Sequence, residues 1–283
     1  MHLYSKHQTS HRHTFREKQE TGPTKLDARY PISIVPVLSF SLPAEAIVIP
    51  TTPPQVSIPP GHFTTGQGAH LLLLAALLPT PMLLAAPFMG DGSFLGLSDR
   101  TWLIAAVAIP VVHQLIVVLL WRAQLSHQLL TRLFGKHDLT VWGLIFLPLL
   151  AARPLAVLGL GLADTGSLSL PQPLLWGLAV LCLAPAAYAG WSVLRYFGIP
   201  RALGGDHFRE HYRVMPFIAA GAFRWTNNAM YTLAFLGLWG IALACGSAAA
   251  LAAVLFQHAY IWVHWYCTEE PDIRVLYSPS GAE

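Results

Sequence analysis

The chain has 283 residues, of which 54% are hydrophobic and only 11% charged, with a formal net charge of +3 and a mean hydropathy of +0.50. Soluble domains carry roughly a quarter charged residues, so this composition excludes an ordinary soluble globule and predicts an integral membrane protein. The small charge is scattered, which leaves no footprint for nucleic acid, and Cys182, Cys245 and Cys267 show no CxxC or Cys/His ligand spacing, so they are expected to be buried thiols with no metal site.

From Met1 to about Gly68 the chain is rich in Pro, Ser and Thr without a sustained helical period, as in Pro50, Pro53, Pro54, Pro59 and Pro60. Residues 1–68 therefore read as a disordered or extended leader, and their deletion is expected to leave activity intact. His2, His7, His11 and His13 belong to that leader. Residues 69–195 hold four apolar spans, about His70–Met89, Trp102–Trp121, Leu139–Leu162 and Leu174–Val193, each near the roughly 20 residues that a transmembrane helix requires. Arg153 sits midway in the third, the costliest position for a charge in the chain, and is expected to be functional or paired.

Two shorter spans, about Met230–Ala244 and Ala248–Trp265, flank Cys245-Gly246-Ser247 and predict a tight helical hairpin. The fold class expected is thus all-α, a polytopic transmembrane bundle with a C-terminal hairpin that forms a pocket. Lys and Arg lie in the leader, at Arg122, Arg132 and Lys136, and at Arg195, Arg201, Arg209 and Arg213, whereas the connection 163–173 has none. This bias predicts cytoplasmic N- and C-termini and six crossings.

Residues 196–283 carry the chemistry. Asp206-His207-Phe208-Arg209-Glu210-His211-Tyr212-Arg213 reads as an interfacial helix, with Arg209 and Arg213 at the level of lipid phosphate. Thr226, Asn227 and Asn228 suit the start of the next helix, and Tyr231 follows one turn later, so all can face one place. On the second hairpin helix His258, Trp262, Trp265 and Glu269 follow at intervals of four, three and four, which makes a single stripe, whereas His264 falls on another face. Glu269 and Glu270 precede Pro271, which is expected to end the helix. Helix capping, an interfacial aromatic belt and a solvated helix end would account for the same residues without any site.

Gly221, Phe223, Asn228 and Tyr231, then an apolar hairpin, then Glu269-Glu270, follow the order and spacing of one known family. From about Trp191 to Tyr277 the sequence resembles the phospholipid methyltransferase group, which includes the phosphatidylethanolamine N-methyltransferases and is similar to the isoprenylcysteine carboxyl methyltransferases. Asn227 stands where that group usually has Arg, and Ala229 where it usually has Pro. The resemblance implies an S-adenosylmethionine-dependent N-methyltransferase embedded in the bilayer and acting on a lipid amine such as phosphatidylethanolamine.

It implies cofactor binding by Gly221, Phe223, Asn228, Tyr231, Trp262, Trp265, Glu269 and Glu270. One glutamate would hold cofactor amino or ribose groups, and the other would orient or deprotonate the substrate ammonium. His258 joins the glutamates as a catalytic candidate, and Arg209 and Arg213 as substrate-binding candidates. Changing either glutamate to Gln is expected to weaken S-adenosylhomocysteine binding without unfolding the chain. The rival readings are carboxyl methylation of an isoprenylcysteine and a non-enzymatic scaffold or transport protein.

Overall fold

The computed structural model describes residues 57–277, which are mostly helical, with a ribbon of Ser93–Phe94 (β1) against Leu97–Ser98 (β2) and short irregular connections. A single turn at His62–Thr64 leads into α1 (Gln67–Leu77) and α2 (Pro79–Ala85), followed beyond the ribbon by α3 (Asp99–His127) and the short α4 (Leu129–Phe134). Next come α5 (Asp138–Ala163) and α6 (Gln172–Ser192), the single turns α7 (Ile199–Ala202) and α8 (Glu210–Arg213), and finally α9 (Leu236–Cys245), α10 (Ala248–His264) and α11 (Glu270–Tyr277).

Four stretches are long and apolar enough to cross a membrane: His62–Phe88, Asp99–His127, Leu129–Ala163 and Gln172–Phe197. They correspond to the first four expected spans. Pro110, Pro148, Pro154 and Pro185 lie inside these helices, where neighbouring helices can re-satisfy the freed backbone groups. The hairpin is shorter, with Met230–Cys245 apolar but below membrane length.

Its turn is built by a glycine. Gly246 adopts φ +61, a left-handed conformation that costs an L side chain energy, and Ser247 caps α10 by accepting from the Ala250 amide at 2.9 Å. Asp164, at the end of α5, accepts from the Ser247 hydroxyl at 2.6 Å and the Ala249 amide at 3.1 Å, which fastens the turn to α5. The buried residues in the first half of α10 are small, with Ala249, Ala250 and Ala253 in one core with Val157 and Leu160, which lets backbones approach closely.

At the opposite end the helices finish in wide turns. Val193–Phe197, Met230–Ala234 and Trp265–Glu269 are each one π-helical turn, a feature that recurs at functional sites. The last of these changes the fate of Pro271. Expected to stop the helix, it instead stands in the first turn of α11, because the π turn resets the register and leaves the Cys267 carbonyl without a Pro271 N–H. Gln67 Nε2 supplies the missing donor at 3.3 Å.

That contact shows a second departure. The leader lies for the most part outside the described residues, as does its His-rich start, but residues 57–68 are folded. Gly66, at φ +80, lies so close to the Cys267 carbonyl that a Cβ there would sit 2.2 Å from its oxygen. Lacking any apolar period, this segment is held by polar contacts, which hydropathy does not reveal. The third departure is Asp206–Arg213, which is not one interfacial helix. Gly205–His207 is a separate turn, and Phe208 is buried with Trp121, Trp142 and Leu203 because Gly204 lets the chain pass against the Trp121 ring.

Candidate active site

Two π turns face each other at the end of the bundle. Met230–Ala234 opens the hairpin's first helix, with the Asn228 carbonyl accepting from the Tyr231 and Thr232 amides at 3.1 and 3.0 Å. Trp265–Glu269 closes the second. Between them the Tyr231 hydroxyl donates a short hydrogen bond to Glu269 Oε1. The Tyr231 ring also meets the rings of Trp262 and Trp265 in T-shaped contacts at centroid distances of 6.1 and 6.0 Å. Tyr231, Trp262, Trp265 and Glu269 thus converge, and the Asn228 amide beside them is buried without a partner.

The two glutamates differ. Glu269 is 13% exposed, whereas Glu270 is 31% exposed and pairs with Arg274, itself 66% exposed, at 2.7 Å. Burial, aided by the nearby Asp272 and Asp206 charges, pushes the Glu269 carboxyl up to about 7 against the Tyr231 hydrogen bond and the His207 charge. A carboxyl at about 7 can hold or release a proton near neutrality, a property that general-base chemistry draws on.

His264, assigned to another face by ordinary helical spacing, places Nε2 3.4 Å from Glu269 Oε1. The reason is the π turn, whose wider pitch brings residues five apart onto one side. His258 sits deeper along α10, beside the Tyr231 backbone rather than at Glu269. Its Nδ1 accepts from the Trp239 indole at 3.0 Å and its ring leans on Phe235, and eleven residues of helix put it roughly 16 Å from Glu269 along the axis. Gly221 and Phe223 pack on the end of α6 and the turn after it: a Cβ at Gly221, where φ is +59, would lie 2.6 Å from Ser192 Oγ, and Phe223 stacks on Phe197 at 5.0 Å.

Arg209 is committed elsewhere, its two terminal nitrogens forking onto Asp138 at 2.8 and 2.6 Å. Arg213 gives its Nε to the Asp206 carbonyl at 2.7 Å and lines a cavity of about 400 Å³ together with Gln124, Gln128, Thr131, His207 and Glu210.

Beneath the site lies a buried ionic network that the sequence reading did not find. Asp272 receives His62 Nε2 at 2.8 Å, Arg122 Nε at 2.7 Å and His207 Nε2 at 3.3 Å. Arg122 continues to the carbonyls of His62, Thr65 and Thr268, the last directly before Glu269. Burial disfavours the Asp272 charge, but the His207 and His62 hydrogen bonds and the His207 and Arg122 charges outweigh it and hold the carboxyl at about 2. For His207, Asp206 and Asp272 overcome burial and raise the imidazole to about 9. The one available signal was Arg122 at the end of an apolar span, the position that positive-inside anchoring also explains.

The network tests the leader directly. A chain starting at residue 57 keeps His62, Gly66 and Gln67 and is expected to fold, whereas one starting at residue 69 loses them and is expected to give markedly less folded protein in detergent. His62→Ala alone is expected to cost about 1–3 kcal/mol, the penalty of leaving a buried charged partner short of a donor, read as a lower unfolding temperature.

Membrane-length helices with a polar cluster gathered at one end of the bundle define a multi-pass membrane protein. Residues 175–280 match the phospholipid methyltransferase family model. No curated protein and no solved structure matches the chain. Tyr231, Trp262, Trp265 and Glu269 fall inside the matched region, while His62, Arg122 and Arg153 lie outside it.

Proposed function

We propose that the chain is an integral membrane methyltransferase that uses S-adenosylmethionine to methylate a lipid amine, with Glu269 as the proton acceptor. The observation that supports this most is the hydrogen bond between Tyr231 and the largely buried Glu269 beside two indole rings, within the residues that match the family model.

The residues suit the cofactor's chemistry. The faces of Tyr231, Trp262 and Trp265 attract a cation, and the unpartnered Asn228 amide is a donor for one of its polar groups. When bound, the cofactor supplies a methyl group on a sulfonium, whose carbon–sulfur bonding pair stays with sulfur as the acceptor nitrogen's lone pair forms the new N–C bond. Glu269, in its carboxylate form, takes the proton that the acceptor ammonium must lose, and the Tyr231 hydroxyl fixes which carboxylate oxygen faces inward. The reaction carries one positive charge throughout, so a partly dry site is no obstacle. Alignment of the two reactants is the larger contribution, worth roughly 7–11 kcal/mol when the geometry is right.

An amine suits this site better than a carboxylate acceptor, because Glu269 would repel a second carboxylate. In this reading the polar end faces the cytoplasm, which holds the soluble cofactor. Arg122, Arg132, Lys136, Arg195, Arg201 and Arg209 gather toward that end, in keeping with the positive-inside rule.

The test is to incubate membranes with and without the expressed chain with methyl-labelled S-adenosylmethionine and either phosphatidylethanolamine or a prenylcysteine. Label in methylated headgroups supports the reading. Label appearing only as a base-labile prenylcysteine ester, or no label above the control membranes, overturns it.

A further inference from the structure

Arg153 is the buried cation that this mechanism leaves unused. It lies midway along α5, 3% exposed, where a charge needs a partner. Nε donates to Gln257 Oε1 at 3.1 Å, and Gln257 is itself fixed by its Nε2 bond to the Ala106 carbonyl at 2.9 Å. The Phe235 ring lies 5.0 Å below the guanidinium carbon. One terminal nitrogen, NH2, has no partner, and no carboxylate among the described residues pairs with the charge. A neutral amide and an aromatic face hold a guanidinium in place, but neither neutralises it.

Its position ties it to the site. Phe235 meets Tyr231 in a T-shaped contact at 6.1 Å, so a single ring separates the guanidinium from Tyr231. A fixed positive charge behind Tyr231 repels a sulfonium or an ammonium. The complementary group is an oxyanion, for which the planar guanidinium is suited.

Resting on the methyl-transfer reading of the Tyr231–Glu269 pair, we propose that the unpartnered face of Arg153 receives an anionic oxygen group of one reactant, so that the site selects an amine or cofactor carrying such a group. Two sources share that chemistry, the phosphodiester of an aminophospholipid and the carboxylate of the cofactor. A bound oxyanion leaves the guanidinium compensated. An acceptor with neither phosphate nor carboxylate leaves a buried charge bare, and a site of this kind discriminates strongly against the analogue that lacks the matching group.

The experiment uses the full chain in lipid nanodiscs, as wild type, Arg153→Met and Arg153→Lys. S-adenosylhomocysteine affinity is compared with that of 5′-methylthioadenosine, which lacks the carboxylate. The KM for phosphatidylethanolamine is compared with that for a long-chain primary amine, which lacks the phosphate. Arg153→Met is expected to lose about 10- to 100-fold for the oxyanion-bearing member of one pair and to leave the other member of that pair unchanged. Loss in the nucleoside pair assigns the cofactor carboxylate, and loss in the lipid pair assigns the phosphodiester.

Should Arg153→Met fail to fold, Arg153→Lys keeps the charge without the fork and is expected to show a smaller loss in the same arm. Equal effects on both members of each pair, or no effect in any arm, overturn the inference. A wild-type chain that neither binds the nucleoside nor transfers a methyl group overturns the methyltransferase reading and this inference with it, whereas an active wild type with indifferent Arg153 variants overturns the inference alone.

Discussion

Replacing Glu269 by Gln is expected to slow methyl transfer by about 10²- to 10⁴-fold, the range over which a positioned general base contributes. The same change at Glu270 is expected to stay within about twofold, since exposed ion pairs contribute little and Glu270 faces Arg274 rather than Tyr231. With the Glu269 carboxyl pushed up to about 7 by burial, the group is protonated and unable to accept a proton at lower pH. The wild-type rate should therefore rise through pH 7 and level off above it, and E269Q should lose that limb. Tyr231→Phe, which removes the hydroxyl but keeps the aromatic ring, is expected to fall between the two. A pH–rate profile of all four proteins in the same detergent checks these outcomes, and an E269Q variant with wild-type rate and unchanged profile would remove Glu269 from the chemistry.

The second large effect concerns folding. Arg122→Met or Asp272→Ala strands the other partner of a pair in which both side chains are fully buried, and breaking such a pair costs about 3–5 kcal/mol. Both are expected to lower the unfolding temperature sharply, and Arg122→Met also frees the Thr268 carbonyl that steadies the turn ending at Glu269. The pH dependence follows from the two shifted groups. Asp272, held at about 2, contributes fully above the ordinary aspartate value of 3.8 and loses that contribution as the pH falls toward 2. His207, raised to about 9, contributes fully below 6.5 and loses it as the pH rises through 9. Thermal unfolding should show a plateau from about pH 4 to 6.5 and a decline toward pH 9, and Asp272→Asn should flatten that decline.

How much of this was legible in the sequence depends on which physics each residue obeys. The long spans follow from hydropathy, because only a helix satisfies its own backbone in lipid, and the hairpin turn follows from Gly246 and Ser247. Tyr231, Trp262, Trp265 and Glu269 were also legible, since each lies on a face set by helical spacing. What spacing could not show was the π turn at Trp265–Glu269. It makes two adjacent glutamates unequal, brings His264 to Glu269 and lets Pro271 begin a helix rather than end one. Nor could periodicity find His62 and Gln67, whose partners Asp272 and Cys267 are 210 and 200 positions away along the chain, or Gly66, which packs against the same Cys267 carbonyl. Spacing likewise does not relate Arg209 to Asp138 on α5, the carboxylate it pairs with.

The most direct test is an experimental structure of the full chain in nanodiscs with S-adenosylhomocysteine bound. The thioether sulfur is expected against the rings of Trp262 and Trp265, within reach of the Tyr231–Glu269 pair, with Glu270 still turned toward Arg274. A ligand bound away from Tyr231 and Glu269, or no ligand at saturating concentration in a chain that is folded, would contradict that expectation.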